Sequence, residues 1–529
     1  MSVRQRSFLH GAFVLIAAGL VTRLLGFVYR IYLSRLIGAE GIGLYQMIWP
    51  LLGLVLTFVT AGLPVAMSKL VAEAVVTRDK VRVVRILRIS TTIIITMSIV
   101  FTALMWQLRG IVFEHWLPDH RSYPTYVAMI PIVSIIAVSS IFRGYFQGLQ
   151  DMAPPAWGSI LETIARIIAV YVLAGYFIRF GIAEAAAAAM VGTVIGEVVG
   201  LLFLWTQYLR RGRLSIVLPD APSRSLETTS QTLKSLGEIA IPVTLSSLIG
   251  SLLYAAEPVL VSRSLLAAGL SLQTATARYG EYGSMAIALF VFPTFLTYSL
   301  AVNLVPSVSE AMALRNRQRV RVRLAQSWRA TAIIGFPASV ILTVYAVPIC
   351  RIIYHDTMAG EILAAMAPFG FLLYLQGPLS GILRGLNKAG IAMIISVFSG
   401  LVKLALIWVL GSDPRYGIIG IAWATDITIA LGTMLSLIVV YRMVGFSVRA
   451  SDTLKMAVAS MLMLVFMKAV SPRHQAIGGG PLLAIVVGGG LLYFWLLCSF
   501  RVVTSHTMNK IPRVGHLLAK FVAAIPFAI

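Results

Sequence analysis

Windows of about 20 predominantly apolar residues, the length a helix needs to cross a hydrocarbon core of about 30 Å, recur along the whole chain. They predict spans at 8–33, 44–68, 89–108, 124–146, 155–178, 185–208, 239–262, 283–307, 328–350, 361–382, 390–410, 417–440, 453–470 and 481–500. Short polar clusters separate them. The expected fold is an all-α polytopic membrane protein of about fourteen transmembrane helices. The first apolar run continues through Arg23 to Leu33, longer than a signal peptide's apolar core, which predicts a retained N-terminus.

The pattern also repeats. Gln147-Gly148-Leu149-Gln150 matches Arg384-Gly385-Leu386-Asn387 at an offset of 237. At the same offset Ser159 meets Ser396, Arg166 meets Lys403, Tyr171-Val172-Leu173 meets Trp408-Val409-Leu410, and Tyr45 meets Tyr282. Both copies start at the same place in a six-span block and run in the same sense, which predicts parallel repeats related by an axis along the membrane normal. The expected division is an N-lobe at 1–215, a cytoplasmic linker at 216–237, a C-lobe at 238–445, and two appended spans with a cytoplasmic tail at 446–529. The two pseudo-symmetric six-helix lobes would move against each other.

Composition agrees with lipid as the solvent: 59% of residues are hydrophobic and 12% charged, too little polar surface to wrap a soluble body of 529 residues. The formal charge of +23 falls in short clusters between apolar runs, the pattern of anchorage to anionic membrane lipids rather than of nucleic-acid binding. The connections with Arg78, Lys80, Arg82, Arg85 and Arg88, with Arg210, Arg211, Arg213, Arg224 and Lys234, and with Arg315, Arg317, Arg319, Arg321 and Arg323 all fall on one side. Arg4 and Arg6, and Arg501, Lys510, Arg513 and Lys520, share that side if the number of spans is even, which places both termini in the cytoplasm. The opposite connections are short and hold Glu40, Asp119, Glu281, Asp356 and Asp413.

Charge at the centre of a span is costly, at least about 2.5–3.5 kcal/mol for Arg or Lys on insertion scales, so each case needs a partner, a wet cavity or a function. Gly19, Arg23, Gly26 and Arg30 share one notched, polar face of the first span, where guanidinium groups suit phosphate or carboxylate. Glu162 and Arg166, four apart, can pair along the fifth span. Ser399 stands where Lys403 would need an acidic partner, so that partner comes from another helix, water or cargo. Ser247, Ser251, Tyr254 and Glu257 roughly follow one face of the seventh span, next to Pro258, a polar broken segment suited to an ion or proton, or to a Glu257–Arg263 salt bridge. Asp426 lies midway along the twelfth span and either pairs with Lys403 or titrates. Arg23, Arg30, Arg166 and Lys403 are thus candidates for binding substrate; Glu162, Glu257 and Asp426 are candidates for coupling a cation or proton, or for gating.

Enzymatic chemistry has no visible home. No Walker A loop, HExxH, CxxC pair or GxSxG appears. The histidines lack ligand spacing, and Cys350 and Cys498 lie in or beside spans, so no metal site, cofactor or disulfide framework is expected.

The runs IAAGLVTRLLG ending at Gly26, SRLIGAEGIGLYQM from Ser34, GLPVAMSKLVAEA from Gly62 and FRGYFQGLQDMAP from Phe142 resemble the sporulation members of the polysaccharide transporters, a branch of the multidrug/oligosaccharidyl-lipid/polysaccharide exporter superfamily. The resemblance runs in register over essentially the whole chain and is densest in the first 155 residues. It implies a two-lobed, fourteen-helix fold that moves lipid-linked sugars by alternating access. In the related lipid II flippase a cavity arginine precedes a leucine-glycine-phenylalanine run and matches Arg23, before Leu24-Leu25-Gly26-Phe27; a second falls at Tyr29 or Arg30.

The leading expectation is a flippase of the bacterial cytoplasmic membrane for an undecaprenyl-diphosphate-linked precursor of peptidoglycan or polysaccharide, serving the spore cortex. Its partners would be the lipid-linked oligosaccharide, anionic lipids and peptidoglycan synthases. Two rivals are a cation-coupled exporter of drugs or organic cations, kept alive by Glu162, Glu257 and Asp426, and a non-transporting scaffold for cortex synthases.

Overall fold

The computed structural model describes residues 3–211, 227–445, 448–471 and 478–503, and within these all regular structure is helical. The basic residues Arg213, Arg224, Lys510, Arg513 and Lys520, part of the expected linker and the expected tail lie outside the described residues. The chain divides into two compact units, Met1–Ser284 and Met285–Ile529.

The first unit begins with α1 (Val3–Gln46), bent at Gly38, whose φ of 69° breaks the helical path. α2 (Trp49–Thr60) and α3 (Leu63–Val76) follow, separated by Ala61 and Gly62 in the left-handed region at φ 44° and 65°. The expected second span is therefore two helices with a break. Gly62 is required twice over, by its positive φ and because a Cβ there would stand 2.7 Å from the Ala240 carbonyl oxygen. α4 (Lys80–Gln107) is capped by the Asp79 side chain, which accepts from the Arg82 amide. α5 (Tyr123–Gly148), α6 (Ala153–Phe177) and α7 (Ile182–Arg211) are single spans. α8 (Thr229–Ala267) opens on a Thr228–Gln231 capping box, and α9 (Leu272–Gly280) closes the unit's helices.

The boundary between units falls after Ser284, not at the expected linker, because the seventh span packs within the first unit. Thr57 Oγ1 on α2 and Ser251 Oγ on α8 are 2.7 Å apart. Against α1, a Cβ on Gly43 would stand 2.1 Å from the Thr276 carbonyl oxygen, and one on Gly280 2.1 Å from that of Ala39. A clasp closes the same end. Arg121 donates to Asp119 through Nε (3.1 Å) and Nη2 (2.7 Å) and through Nη1 to Glu40, while Thr276 Oγ1 donates to Asp119 Oδ2 at 2.8 Å. Burial pushes the Asp119 carboxyl up, but these donors outweigh it and hold the group below the usual carboxylate range.

The second unit does not contain its first expected span intact. A π-helical turn (Glu281–Ala286) and a short helix (Ile287–Val291) precede a break at Phe292 and Pro293, and α10 (Thr294–Ala313) starts afresh. Pro293 lacks the amide that would continue the ladder. α11 (Arg317–Val344), α12 (Ala346–Tyr354), α13 (Met358–Met366), α14 (Gly370–Gly385), α15 (Ala389–Gly411) and α16 (Gly417–Val444) complete the second repeat. α17 (Ala450–Val470) and α18 (Gly479–Ser499) pack on α11 through Met456, Met463, Met467 and Ile485, with Tyr345 Oη donating to the Met467 carbonyl at 2.8 Å. Among the described residues twelve helices are long and apolar enough to cross a membrane; the run from Ala17 to Thr60 counts once and the interrupted eighth span is not among them.

The 237-residue repeat is written into the contacts of each unit. A Cβ on Gly148 would meet Val71 Cβ at 2.7 Å and the Ser68 carbonyl at 2.9 Å; one on Gly385 would meet Val308 Cβ at 2.7 Å and the Val305 carbonyl at 2.9 Å. Gln150 and Asn387 both turn left-handed, at φ 59° and 58°, as do Arg78 and Arg315, at φ 55° and 51°. Arg82 with Glu73 has its counterpart in Arg319 with Glu310. Each of these pairs is separated by the same offset, so both copies fold by the same close helix crossings.

Candidate functional site

The first unit carries a buried ion network on three helices. Glu162 on α6 lies between Arg143 of α5, at 2.6 Å, and Arg166, one turn further along α6; Arg166 in turn reaches Glu197 of α7 at 3.1 Å. The Glu162 and Glu197 side chains are only 10% and 9% exposed. Gly192, Gly196 and Gly200 of α7 make the arrangement possible. Cβ atoms there would fall 2.8 Å from the Val170 amide, 2.8 Å from the Glu162 carbonyl and 3.1 Å from Glu162 Cβ, so only a glycine stripe lets the two backbones meet. Two cations and two anions sum to zero, and mutual pairing offsets the desolvation that each would suffer alone.

α1 is tied to α7, beside the network, by a chain of hydroxyl groups. Tyr29 Oη donates to Tyr45 Oη at 3.2 Å, and Tyr45 Oη lies 3.0 Å from Thr193 Oγ1, one turn before Glu197. Tyr32 packs against Tyr171 of α6, the tilted rings 5.1 Å apart. Buried Tyr29, Leu33 and Ile37 thereby mark the face that α1 turns toward its own unit. At roughly 100° per residue, Arg23 and Arg30 lie about a quarter turn from that stripe. Exposed Val21, Leu24 and Val28 lie on the far side of the helix from both. Both arginines are exposed, and beyond the chain neighbours and the backbone of its own turn no described atom lies within 4 Å of where a Cβ would stand on Gly19 or Gly26. The notched arginine face is thus separate from the apolar face and has open space beside it.

The other candidates are spread out. Glu257, on α8, accepts from Tyr282 Oη at 3.2 Å; its expected alternative partner Arg263 instead donates to the His115 carbonyl at 3.4 Å. In the second unit, Lys403 lines a hollow of about 330 Å³ with Gln376, Ser380, Ser399, Thr425 and Thr428. Asp426 is fully buried on α16, and neither carboxylate oxygen has a hydrogen-bond partner among the described residues, so the expected pairing with Lys403 is not formed. Arg166, a candidate for binding substrate, is instead held by two glutamates.

Arg143 and Glu197 are the members that the reading of the sequence missed. Glu197 sits near the middle of the sixth expected span, and the cost argument that singled out Asp426 applies to it equally. Arg143 stands inside the Phe142–Pro154 run, near the end of its span, where the cost of a charge at the centre of the membrane does not apply.

Two parallel repeats of transmembrane helices, with charged residues buried within the first, define the multi-pass membrane fold of the multidrug/oligosaccharidyl-lipid/polysaccharide exporter superfamily. The chain belongs to the polysaccharide biosynthesis protein family, whose pattern matches residues 8–312, and sits in the polysaccharide-transporter branch of that superfamily; a MatE pattern matches residues 281–409. It is 37% identical to stage V sporulation protein B of Bacillus subtilis (strain 168) over 519 residues, 98% of this chain and 100% of that protein. It is 24% identical to the lipid II flippase MurJ of the same organism over 87% of this chain and 88% of that one. Among solved structures, lipid II flippase MurJ in an inward closed conformation has the same fold, with a TM-score of 0.68, 15% identity, and coverage of 92% of this chain and 98% of that chain. An inward-facing multidrug resistance MATE transporter of the MOP superfamily gives a TM-score of 0.64 at 17% identity, over 85% of this chain and 96% of that one.

Proposed function

We propose that the protein is a flippase that moves an undecaprenyl-diphosphate-linked peptidoglycan or polysaccharide precursor across the cytoplasmic membrane by alternating access, in the service of spore cortex synthesis. The observation that carries this reading is the arginine face of α1. Arg23 and Arg30 stand together beside two unfilled glycine notches, apart from the apolar stripe. Glu162 and Glu197, acidic residues of the same unit, are already engaged by Arg143 and Arg166. A surface with exposed guanidinium groups and neutralised carboxylates favours an anion, and a diphosphate is an anion that lipid would otherwise exclude.

In this reading Arg23 and Arg30 receive the diphosphate and Lys403 adds a cationic contact to another part of the cargo, while Arg166 braces the helices that position α1. The isoprenoid tail stays in lipid. Glu257 and Asp426 are the groups available to couple a proton or cation, and the protein performs no covalent chemistry. The basic connections hold both termini in the cytoplasm against anionic lipid, close to the synthases that consume the cargo.

Reconstitution tests it directly. In proteoliposomes carrying fluorescent lipid II, Arg23→Ala is expected to slow flipping by about 10- to 100-fold, the loss of one charge-assisted contact of about 1.5–3 kcal/mol. An unchanged rate in well-folded Arg23→Ala removes Arg23 from the site. Efflux of organic cations by wild type, indifferent to lipid II, would instead support the cation exporter.

A further inference from the structure

The two repeats are built by the same helix crossings, yet they treat one place in opposite ways. The 237-residue offset carries Arg143, Glu162 and Arg166 onto Ser380, Ser399 and Lys403. In the first unit three long charged side chains fill that place, and Glu197 completes their neutralisation. In the second, two serines replace an arginine and a glutamate, and a hollow of about 330 Å³ stands among α14, α15 and α16, lined by all three equivalent residues. That volume falls in the range of roughly 300–1,000 Å³ typical of small-molecule sites.

We infer that this hollow is a saccharide pocket, which takes the sugar portion of the lipid-linked cargo and prefers a sugar that carries a carboxylate or phosphate. The inference rests on the flippase reading above for its cargo and adds the part of that cargo which the arginine face leaves unassigned. The lining supplies what a sugar ring requires. Ser399 Oγ is shielded from solvent and has no hydrogen-bond partner among the described residues. The Thr428 hydroxyl donates to the Ala424 carbonyl at 3.0 Å, which leaves its lone pairs to accept from ligand hydroxyls. Gln376 Nε2 donates to the Ile429 carbonyl at 3.2 Å, anchoring an amide at the wall. Lys403 contributes the single positive charge among the lining residues, a charge that attracts an acidic sugar and repels an organic cation. Gly432 keeps the opening, since a Cβ there would stand 3.2 Å from Ser399 Oγ.

The test fills the pocket and varies the cargo. Full-length protein is reconstituted with two substrates: lipid II, and undecaprenyl diphosphate without sugars. Ser399→Leu is expected to raise the half-saturating concentration of lipid II about tenfold, equivalent to about 1.4 kcal/mol, and to leave that of the bare diphosphate unchanged. Lys403→Gln should weaken binding of N-acetylmuramic acid to the detergent-solubilised protein while sparing N-acetylglucosamine. Equal effects of Ser399→Leu on both cargoes, or no effect on either, overturn the pocket while leaving the flippase standing. Should wild type move neither cargo, the flippase reading falls. The pocket is then judged by N-acetylmuramic acid binding alone: binding abolished by Ser399→Leu upholds it, and no binding to wild type overturns it. If Ser399→Leu does not give a monodisperse protein, Ser380→Ala with Ser399→Ala replaces it, with the same cargo selectivity expected.

Discussion

Glu162 is a single carboxylate shared by two guanidinium groups, one from its own helix and one from α5. Glu162→Gln leaves Arg143 without its charge partner and Arg166 with Glu197 alone. Loss of one member of a buried pair typically costs about 3–5 kcal/mol, so the variant should unfold at a distinctly lower temperature in detergent, read by tryptophan fluorescence. The double change Glu162→Leu with Arg166→Leu should lose less than the sum of its two single changes, because removing both partners leaves no orphaned charge between them. Additive losses would mean the pair is not coupled. Pairing along α6 was legible in the sequence, because Glu162 and Arg166 sit one turn apart. Pairing with Arg143 and Glu197 was not, since which residues meet across helices depends on which faces pack.

Among the elements, close helix crossings set the architecture, and glycine sets the crossings. Gly148 and Gly385 each meet a valine Cβ at 2.7 Å and a backbone carbonyl at 2.9 Å, whereas Gly43 meets the backbone carbonyl of Thr276 at 2.1 Å. The closer the approach to backbone, the further two helices must separate to admit a Cβ. Gly43→Ala is therefore expected to destabilise the protein by more than Gly148→Ala, with the larger fall in melting temperature and in yield of monodisperse protein; equal falls would argue that α9 readjusts freely. The interrupted spans belong to this scale too. Hydropathy sums over a window and is blind to geometry within it, so 44–68 and 283–307 read as continuous spans although Ala61–Gly62 and Phe292–Pro293 break them. The prolines and glycines were visible, but their consequence depended on local packing such as that of Gly62 against Ala240.

For the whole molecule, the asymmetric basic connections predict topology. Fused at the C-terminus, green fluorescent protein should fluoresce and alkaline phosphatase should be inactive, because both would remain cytoplasmic; active phosphatase would reverse the orientation. The amino-acid sequence by itself determined that the chain lives in lipid, that it is helical and that it is repeated. Those properties follow from one-dimensional quantities: the length of apolar runs, the placement of charge, and similarity at a fixed offset. Only the tertiary structure decided where the units divide, that the charge of Arg166 is already taken up by two glutamates, that Asp426 has no partner among the described residues, and that the arginine face of α1 lies away from its apolar side. It also decided that one place in the repeat is filled in the first copy and hollow in the second. Each of these depends on which side chains from distant positions occupy the same volume, and that is settled by packing.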